Sequence, residues 1–400
     1  VLAATLIFLG TYLVLALGRL PGFRVDRTGA AIIGASLMMA FEVLTLEEAY
    51  AAVDHNTILL LFGMMIVAAN LRVAGVFAAV SGWTVRHAHH PLTLLGAVIL
   101  VSGVFSAFFV NDTVCLVLTP LVLDTVLALG RNPVPYLLGV AMGSNIGSVA
   151  TITGNPQNMM IGAFSGIPYR TFAAALWPVA AVGLVLAFLV IALLYRSEFR
   201  RFETLAVVPR RARVHRPLAW KSLTVSTLML LGFFAGWPVA VVAIVAAALL
   251  LLTRKLKPER IYREIDFSLL VLFIGLFIVI AGVEKALVSS GELARAAGHG
   301  LENPVAFSAA AAVLSNLVSN VPAVLLFKPL IPAFADPNRA WLLLAMASTL
   351  AGNLTILGSV ANLIVVQKAG RRAPIGFGEY FRTGLPLTIL TIAAGVWLLR

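Results

Sequence analysis

Apolar runs of about 20 residues recur along the entire chain, and that recurrence restricts the fold more than any other feature. A helix rises 1.5 Å per residue, so a run of roughly 20 crosses the ~30 Å hydrocarbon core of a bilayer. Such runs lie near residues 1–18, 28–45, 55–80, 135–163, 172–195, 221–236, 238–253, 266–288, 339–367 and 380–399. Composition agrees, with 60% hydrophobic and only 12% charged residues, where a soluble domain carries about 25% charged. The reading is an all-α polytopic membrane protein with about ten spanning helices. The first run is expected to span rather than to be cleaved as a signal peptide. Its positive charges, Arg19, Arg24 and Arg27, follow it, and no A-x-A cleavage signal is visible.

A net charge of +12 and a pI near 10.4 would suggest nucleic acid in a soluble protein. Here 23 of the 29 Lys and Arg fall on one side of the expected topology, eight of them between Arg196 and Lys221. That is the positive-inside bias, which orients helices during insertion. It reports topology and argues for a lipid bilayer, not nucleic acid, as the partner. The expected location is a bacterial inner membrane with both termini outside. The single cysteine, Cys115, excludes an intrachain disulfide and a Cys-rich metal site. H-E-x-x-H, G-x-S-x-G and P-loop motifs are absent, so neither an enzyme nor an ATP-driven pump is expected.

The two halves resemble each other. Asp54 onward matches Asp266 onward at an offset of 212 positions, residues 104–121 match 313–330 at 209, and 141–158 match 345–362 at 204. The polar pair Asn111 and Asn320 is among the matches. The loop after the second helix is acidic (Glu42, Glu47, Glu48, Asp54), whereas its counterpart is basic (Arg254, Lys255, Lys257, Arg260, Arg263). Equivalent loops on opposite faces imply two inverted-topology repeats, as in many secondary transporters. The expected division is a first repeat over 1–195, a basic cytoplasmic linker over 196–221 and a second repeat over 222–400.

Irregular backbone survives at membrane depth only inside protein or along a water-filled cavity. Ser144-Asn145-Ile146-Gly147-Ser148 and Thr151-Ile152-Thr153-Gly154-Asn155-Pro156-Gln157-Asn158 lie in the middle of an apolar stretch. Gly and Pro at that density predict a broken helix over 135–163 whose half-helix ends offer N–H groups to an anion or carbonyls to a cation. The second half repeats this over 339–367, around Asn353, Thr355, Gly358 and Asn362. Close packing of small residues between membrane helices is the competing reading.

The stretches SNIGSVATITGNPQN and GNLTILGSVAN, with the Asn-centred segments VNDTVCLVLTP and SNVPAVLLFKP, resemble the ion transporter superfamily. That group includes citrate and divalent-anion/sodium symporters, arsenite permeases and sodium/proton antiporters. The resemblance implies that 91–130 and 304–333 are re-entrant hairpins tipped by Asn111 and Asn320. It also implies a homodimer and an elevator-like motion of the hairpin-bearing domain. Hydropathy by itself does not separate such hairpins from pairs of full spans.

Divalent-anion symporters carry Ser-Asn-Thr at both tips, whereas here the tips read Val110-Asn111-Asp112 and Ser319-Asn320-Val321. A carboxylate at membrane depth is costly and marks function by default; Asp112 is expected to serve a coupling cation or proton, with a salt bridge or a helix N-cap at the tip as the alternatives. The expected substrate and ion site comprises Asn111, Asp112, Thr113, Ser144, Asn145, Thr151, Gly154, Asn155, Asn158, Ser319, Asn320, Asn353, Thr355, Gly358 and Asn362. Na⁺ is placed at Asn111, Asp112 and Asn145. Lys328, where the first hairpin has Thr119, either faces this site, pairs with Asp112 or snorkels to the interface. Asp124 is expected near Arg131, and His87, His89 and His90 form a solvated turn. The function read from these residues is secondary transport of a small carboxylate or oxyanion coupled to Na⁺ or H⁺, with no other cofactor. A Na⁺/H⁺ antiporter, an arsenite-type permease and a passive facilitator are the rivals.

Overall fold

Backbone polar groups within hydrocarbon need internal partners, and the chain meets this with helices. The computed structural model describes residues 2–18, 22–87, 90–200, 214–253, 256–290 and 302–400, with no β-strand among them. The first half runs through α1 (Leu2–Leu17), α2 (Arg27–Ala40), α3 (Leu46–Ala52), α4 (His55–Ala74), α5 (Val76–His87), α6 (Pro91–Phe108), α7 (Asn111–Ala128), α8 (Val134–Ser148), α9 (Pro156–Ser165), α10 (Tyr169–Leu194) and α11 (Arg196–Phe199). The second runs through α12 (Arg216–Phe234), α13 (Val239–Leu251), α14 (Pro258–Tyr262), α15 (Phe267–Ser290), α16 (Pro304–Val318), α17 (Asn320–Phe327), α18 (Pro337–Ala351), α19 (Val360–Ala369) and α20 (Phe377–Leu398). Seven of the described helices are long and apolar enough to cross a membrane. The protein is an integral membrane protein. Most of the expected linker, residues 201–213, and His89 of the histidine cluster lie outside the described residues.

Three helix ends differ from the hydropathy reading, each for a local reason. The apolar run 55–80 is two helices, because Gly75 takes a left-handed backbone (φ 82°) and closes α4. The run 28–45 stops at Ala40, and a capping box between Thr45 and Glu48 starts the separate helix α3. The return arm of the segment 304–333 is helical only to Phe327. Lys328–Ala333, which contains Pro329 and Pro332, tightens into a 3-10 turn, since proline withholds a backbone N–H.

The helices sort into two packing groups. In one, α2 lies along α15 and α4 along α13, with α1 against α2 and α15, and α12 against α4 and α13. In the other, α6, α7 and α10 pack on α8, α19 on α7 and α8, α16 on α18, and α20 on α10 and α18. The first group is held by close approaches at glycine. A Cβ on Gly63 of α4 would lie 2.8 Å from the Ala243 carbonyl carbon of α13, and one on Gly275 of α15 would lie 2.8 Å from that of Ala31 on α2. Gly63 and Gly275 are 212 positions apart, as are Ala31 and Ala243. Each half therefore lends a helix to the other across an equivalent contact.

Charged side chains gather at the two ends of the bundle. At one end Arg72 meets Glu264, Arg131 meets Glu198 (3.7 Å) and Arg372 meets Asp124 (2.7 Å). At the other, Lys285 meets Glu48 (2.7 Å) and Lys328 meets Glu284 (3.2 Å). The Lys285 hydrogen bond is the main force holding the Glu48 carboxyl below the ordinary glutamate range. A depressed carboxyl stabilises the fold above its unfolded-state pKa and loses that effect as pH falls through the folded value. Because the Glu48 and Lys285 side chains are both partly open to solvent, the contribution is screened.

Replacing Gly63 or Gly275 by Ala is expected to lower the melting temperature by similar amounts, since each added methyl meets backbone that cannot yield. Gly10→Ala, with nothing within 4 Å, is expected to raise stability by about 0.5–1 kcal/mol through helix propensity. Thermal denaturation of the three variants in detergent measures both outcomes.

Candidate functional site

Both broken helices stop and restart in the same way. Helix α8 ends at Ser148, a 3-10 turn covers Ile152–Gly154, and α9 begins at Pro156 with Asn155 as its N-cap. Gly154 permits this because a Cβ there would lie 2.2 Å from the Ser148 carbonyl oxygen. Breaking a helix orphans its last carbonyls. The Asn158 amide covers them, donating to the oxygens of Ser148 (3.1 Å) and Thr151 (3.0 Å). In the second half α18 ends at Ala351, the 3-10 turn is Ile356–Gly358, and α19 begins at Val360. Here the Asn362 amide donates to Gly352 (2.6 Å) and Thr355 (3.0 Å). The corresponding residues of the two breaks lie 204 positions apart.

Asn145 joins the two breaks. Its Nδ2 donates to Oδ1 of Asn353 (3.0 Å) and of Asn362 (2.9 Å), and its Oδ1 accepts from Asn111 Nδ2 and Ser359 Oγ (both 3.1 Å). All five side chains are buried. One amide thus ties the tip of the α6–α7 pair to both interrupted helices. Around it, Ser144 Oγ donates to the Asn111 carbonyl (3.2 Å) and contacts Ser106 Oγ (2.7 Å). Asn155 Nδ2 donates to Ser148 Oγ (2.9 Å) and Thr349 Oγ1 (3.2 Å). Thr151 Oγ1 donates to the Ala107 carbonyl. Within this cluster, three buried polar atoms have no partner among the described residues: Asn111 Oδ1, Asn158 Oδ1 and Asn353 Nδ2.

The two helix pairs 91–130 and 304–333 bring their turns to these breaks. Asp112, in the first turn of α7, is half-buried, and its carboxylate accepts no hydrogen bond from a described residue. It lies within electrostatic reach of Asp266, which caps α15 through the Leu269 N–H (3.0 Å). The cap at the tip is therefore not the role Asp112 takes. Thr113 is half-buried beside it. On the second tip Ser319 has φ 80° and ψ 159°, a region that costs a non-glycine residue roughly 1–3 kcal/mol and clusters at functional sites. Asn320, with its amide oriented to satisfy both ends, donates to the carbonyls of Ser348 (3.1 Å) and Gly358 (3.3 Å) and accepts from Gln157 (3.1 Å).

Lys328 takes none of its cluster-facing options. It pairs with Glu284 of α15 and sits 5.0 Å from the centre of the Phe164 ring. Asp124 pairs with Arg372, and Arg131 meets Glu198. His90 caps α6 by accepting the Leu92 N–H (3.1 Å). Cys115 is buried against the Val140 carbonyl.

Sequence reasoning missed Thr349 and Asn316, and did not single out Ser359 and Gln157 within the two break segments. Asn316 donates to the Ala351 carbonyl (2.9 Å) and accepts from Thr355 (3.3 Å). Its equivalent in the first half is Ala107, so matching the halves could not find it. Ser359 had a signal, since it stands where the first half has Asn155.

A family profile described as citrate transporter matches residues 12–351. The chain belongs to the citrate transporter family. It is 30% identical to a 46 kDa membrane protein of Mycobacterium leprae over 99% of this chain and 97% of that one. It is also 30% identical to a silicon efflux transporter of Oryza sativa subsp. japonica over 94% and 93%. Its fold is similar to that of the YdaH transporter of Alcanivorax borkumensis, with a TM-score of 0.64 at 15% identity, covering 100% of this chain and 96% of that one. The protein is accordingly a membrane transporter rather than an enzyme.

Asn145→Ala is expected to strip partners from Asn111, Asn353, Asn362 and Ser359 together. A buried polar group left without a partner costs about 1–3 kcal/mol, so the variant should melt well below the parent and lose transport. Asn56→Ala, at an exposed position outside the cluster, should do neither; thermal denaturation and uptake on the same preparations provide the check.

Proposed function

We propose that this protein is a secondary transporter of a small carboxylate or oxyanion, coupled to Na⁺ or H⁺, with its site at the Asn145 cluster. The observation that carries this is the meeting of both helix breaks and a hairpin tip on one buried amide. Among the described residues the cluster holds no cationic side chain, so an anion would be met by amide and hydroxyl donors and by a half-helix N-terminus. The second break is the better candidate. Ser359 spends its hydroxyl on Asn145 and makes no side-chain cap for α19, leaving that N-terminus free for a ligand. Asn155, by contrast, caps α9 by accepting the Asn158 N–H (2.8 Å). The second break is also partly open, with Leu357 57% exposed, while 148–160 is buried throughout.

Asp112 is the coupling residue in this reading. Its carboxylate is half-buried and accepts no hydrogen bond from a described residue, and an unpartnered carboxylate at depth favours a bound cation or proton. The 212-position exchange of glycine contacts and the 204-position equivalence of the breaks support two inverted repeats, 1–195 and 222–400. The positive-inside bias orients the Arg72–Glu264 end toward the cytoplasm and both termini outside, in a bacterial inner membrane, with a homodimer as the assembly. A second reading is favoured by the uncharged cluster and the silicon efflux relative: a neutral weak inorganic acid leaving in exchange for protons.

Transient currents in proteoliposomes decide among these. Solution jumps of Na⁺ alone, then of citrate, succinate, sulfate and arsenite with and without Na⁺ at two pH values, should give a current that requires the anion. A current from Na⁺ alone that varies with pH would make the protein an antiporter. Asp112→Asn is expected to fold normally and to abolish the coupled current; full activity would remove Asp112 from the mechanism.

The elevator motion we infer moves the hairpin-bearing helices against α1, α2, α4, α12, α13 and α15. Few polar bonds oppose it: among the described residues, Tyr12 donates to the Pro322 carbonyl (3.1 Å), and Lys328 pairs with Glu284. Lys328→Met and Glu284→Gln should each speed exchange, and the double variant should add little, because both remove the same bond. Additive effects would place the two residues in separate roles.

A further inference from the structure

A cavity of about 980 Å³ lies between α6 and α10, with Phe234 of α12 also lining it. Its walls are apolar and open outward: Leu100, Val104, Trp177 and Val185 all expose roughly half or more of their surface. In a protein that spans a bilayer, such a surface meets lipid. The floor is formed by Gly147, Ala150 and Thr151, the end of α8 and the start of the first break. From Arg170 to Phe188, which both line it, α10 extends roughly 27 Å, close to the full hydrocarbon thickness. An occupant seated at Arg170 thus has apolar wall beneath it for the depth of one leaflet.

Arg170 is the charged residue of this cavity. It stands in the first turn of α10, where the helix dipole disfavours a positive charge. Among the described residues no carboxylate pairs with it, and its side chain is exposed. Its charge is therefore not spent on the fold. An arginine at the interface, above an apolar groove, matches a phosphate-bearing headgroup above an acyl chain.

We propose that this groove binds an anionic phospholipid, with the headgroup on Arg170 and an acyl chain lying against the end of α8. The assignment is independent of which substrate is carried. Native mass spectrometry of the detergent-purified protein, given equimolar phosphatidylglycerol and phosphatidylcholine with identical chains, tests it. The parent should retain phosphatidylglycerol in preference by on the order of fivefold, the effect of one basic residue at a membrane surface. Arg170→Gln should bring the two lipids to parity, and Arg170→Lys should keep the preference. Ala174→Trp, which fills the groove, should reduce retention of both lipids. An unchanged preference in Arg170→Gln would overturn the headgroup assignment. Undiminished lipid binding in a folded Ala174→Trp protein, or loss of a dimer in place of lipid, would overturn the groove assignment.

Discussion

An interrupted helix inside a membrane leaves carbonyl oxygens that water cannot reach, and satisfying them is the constraint on which this structure depends. The chain solves it twice with the same residue type. Asn158 and Asn362 each reach back from the new half-helix to the carbonyls that end the old one. With those oxygens covered, α8–α9 and α18–α19 can open at mid-chain without a cost of several kcal/mol for each orphan group. Asn145 then binds the two interruptions into one polar cluster. A transporter of this kind needs polar chemistry at depth, and the asparagines supply it at the points where the backbone is already irregular.

The rest of the molecule divides according to how firmly it is joined. Within each packing group, helices touch at glycine or through side-chain amides. Between the groups, contacts are chiefly aromatic and aliphatic, such as Phe164 on Phe277 and Tyr169 on Phe233 and Phe234. Apolar surfaces are non-directional, so they slide more readily than a lattice of hydrogen bonds. Among the described residues, the few directional bonds between the groups sit on one hairpin, at Pro322 and Lys328. That concentration puts the resistance to relative motion on the second helix pair, 304–333.

Much of this was legible in the sequence, and the misses have physical causes. Apolar runs and charge asymmetry found the helices, because hydrocarbon imposes a length and a polarity on each. The run 55–80 misled because hydropathy does not register a left-handed glycine, and Gly75 splits it. Asn, Gly and Pro in an apolar stretch located both breaks, since that combination weakens a continuous helix and adds polar groups that lipid cannot solvate. The partners Ser359, Gln157 and Thr349 were harder: a buried hydroxyl or amide looks the same in sequence whether it bonds its own turn or a helix from the other half. Lys328 was ambiguous for the same reason. Its mate Glu284 is 44 positions away, and only packing brings them together.

The exchange of contacts between halves has a consequence for how the chain is made. Helix α2 leaves the ribosome more than two hundred residues before α15, the helix whose Gly275 it receives. Until then its close-packing face, centred on Ala31, has only lipid against it. In the first half alone, α2 and α4 lack α15 and α13, the helices against which each makes its closest approach. Truncation after the central basic segment would leave a product in which α6, α7, α8 and α10 still pack together while α2 and α4 lack the helices that receive their closest contacts.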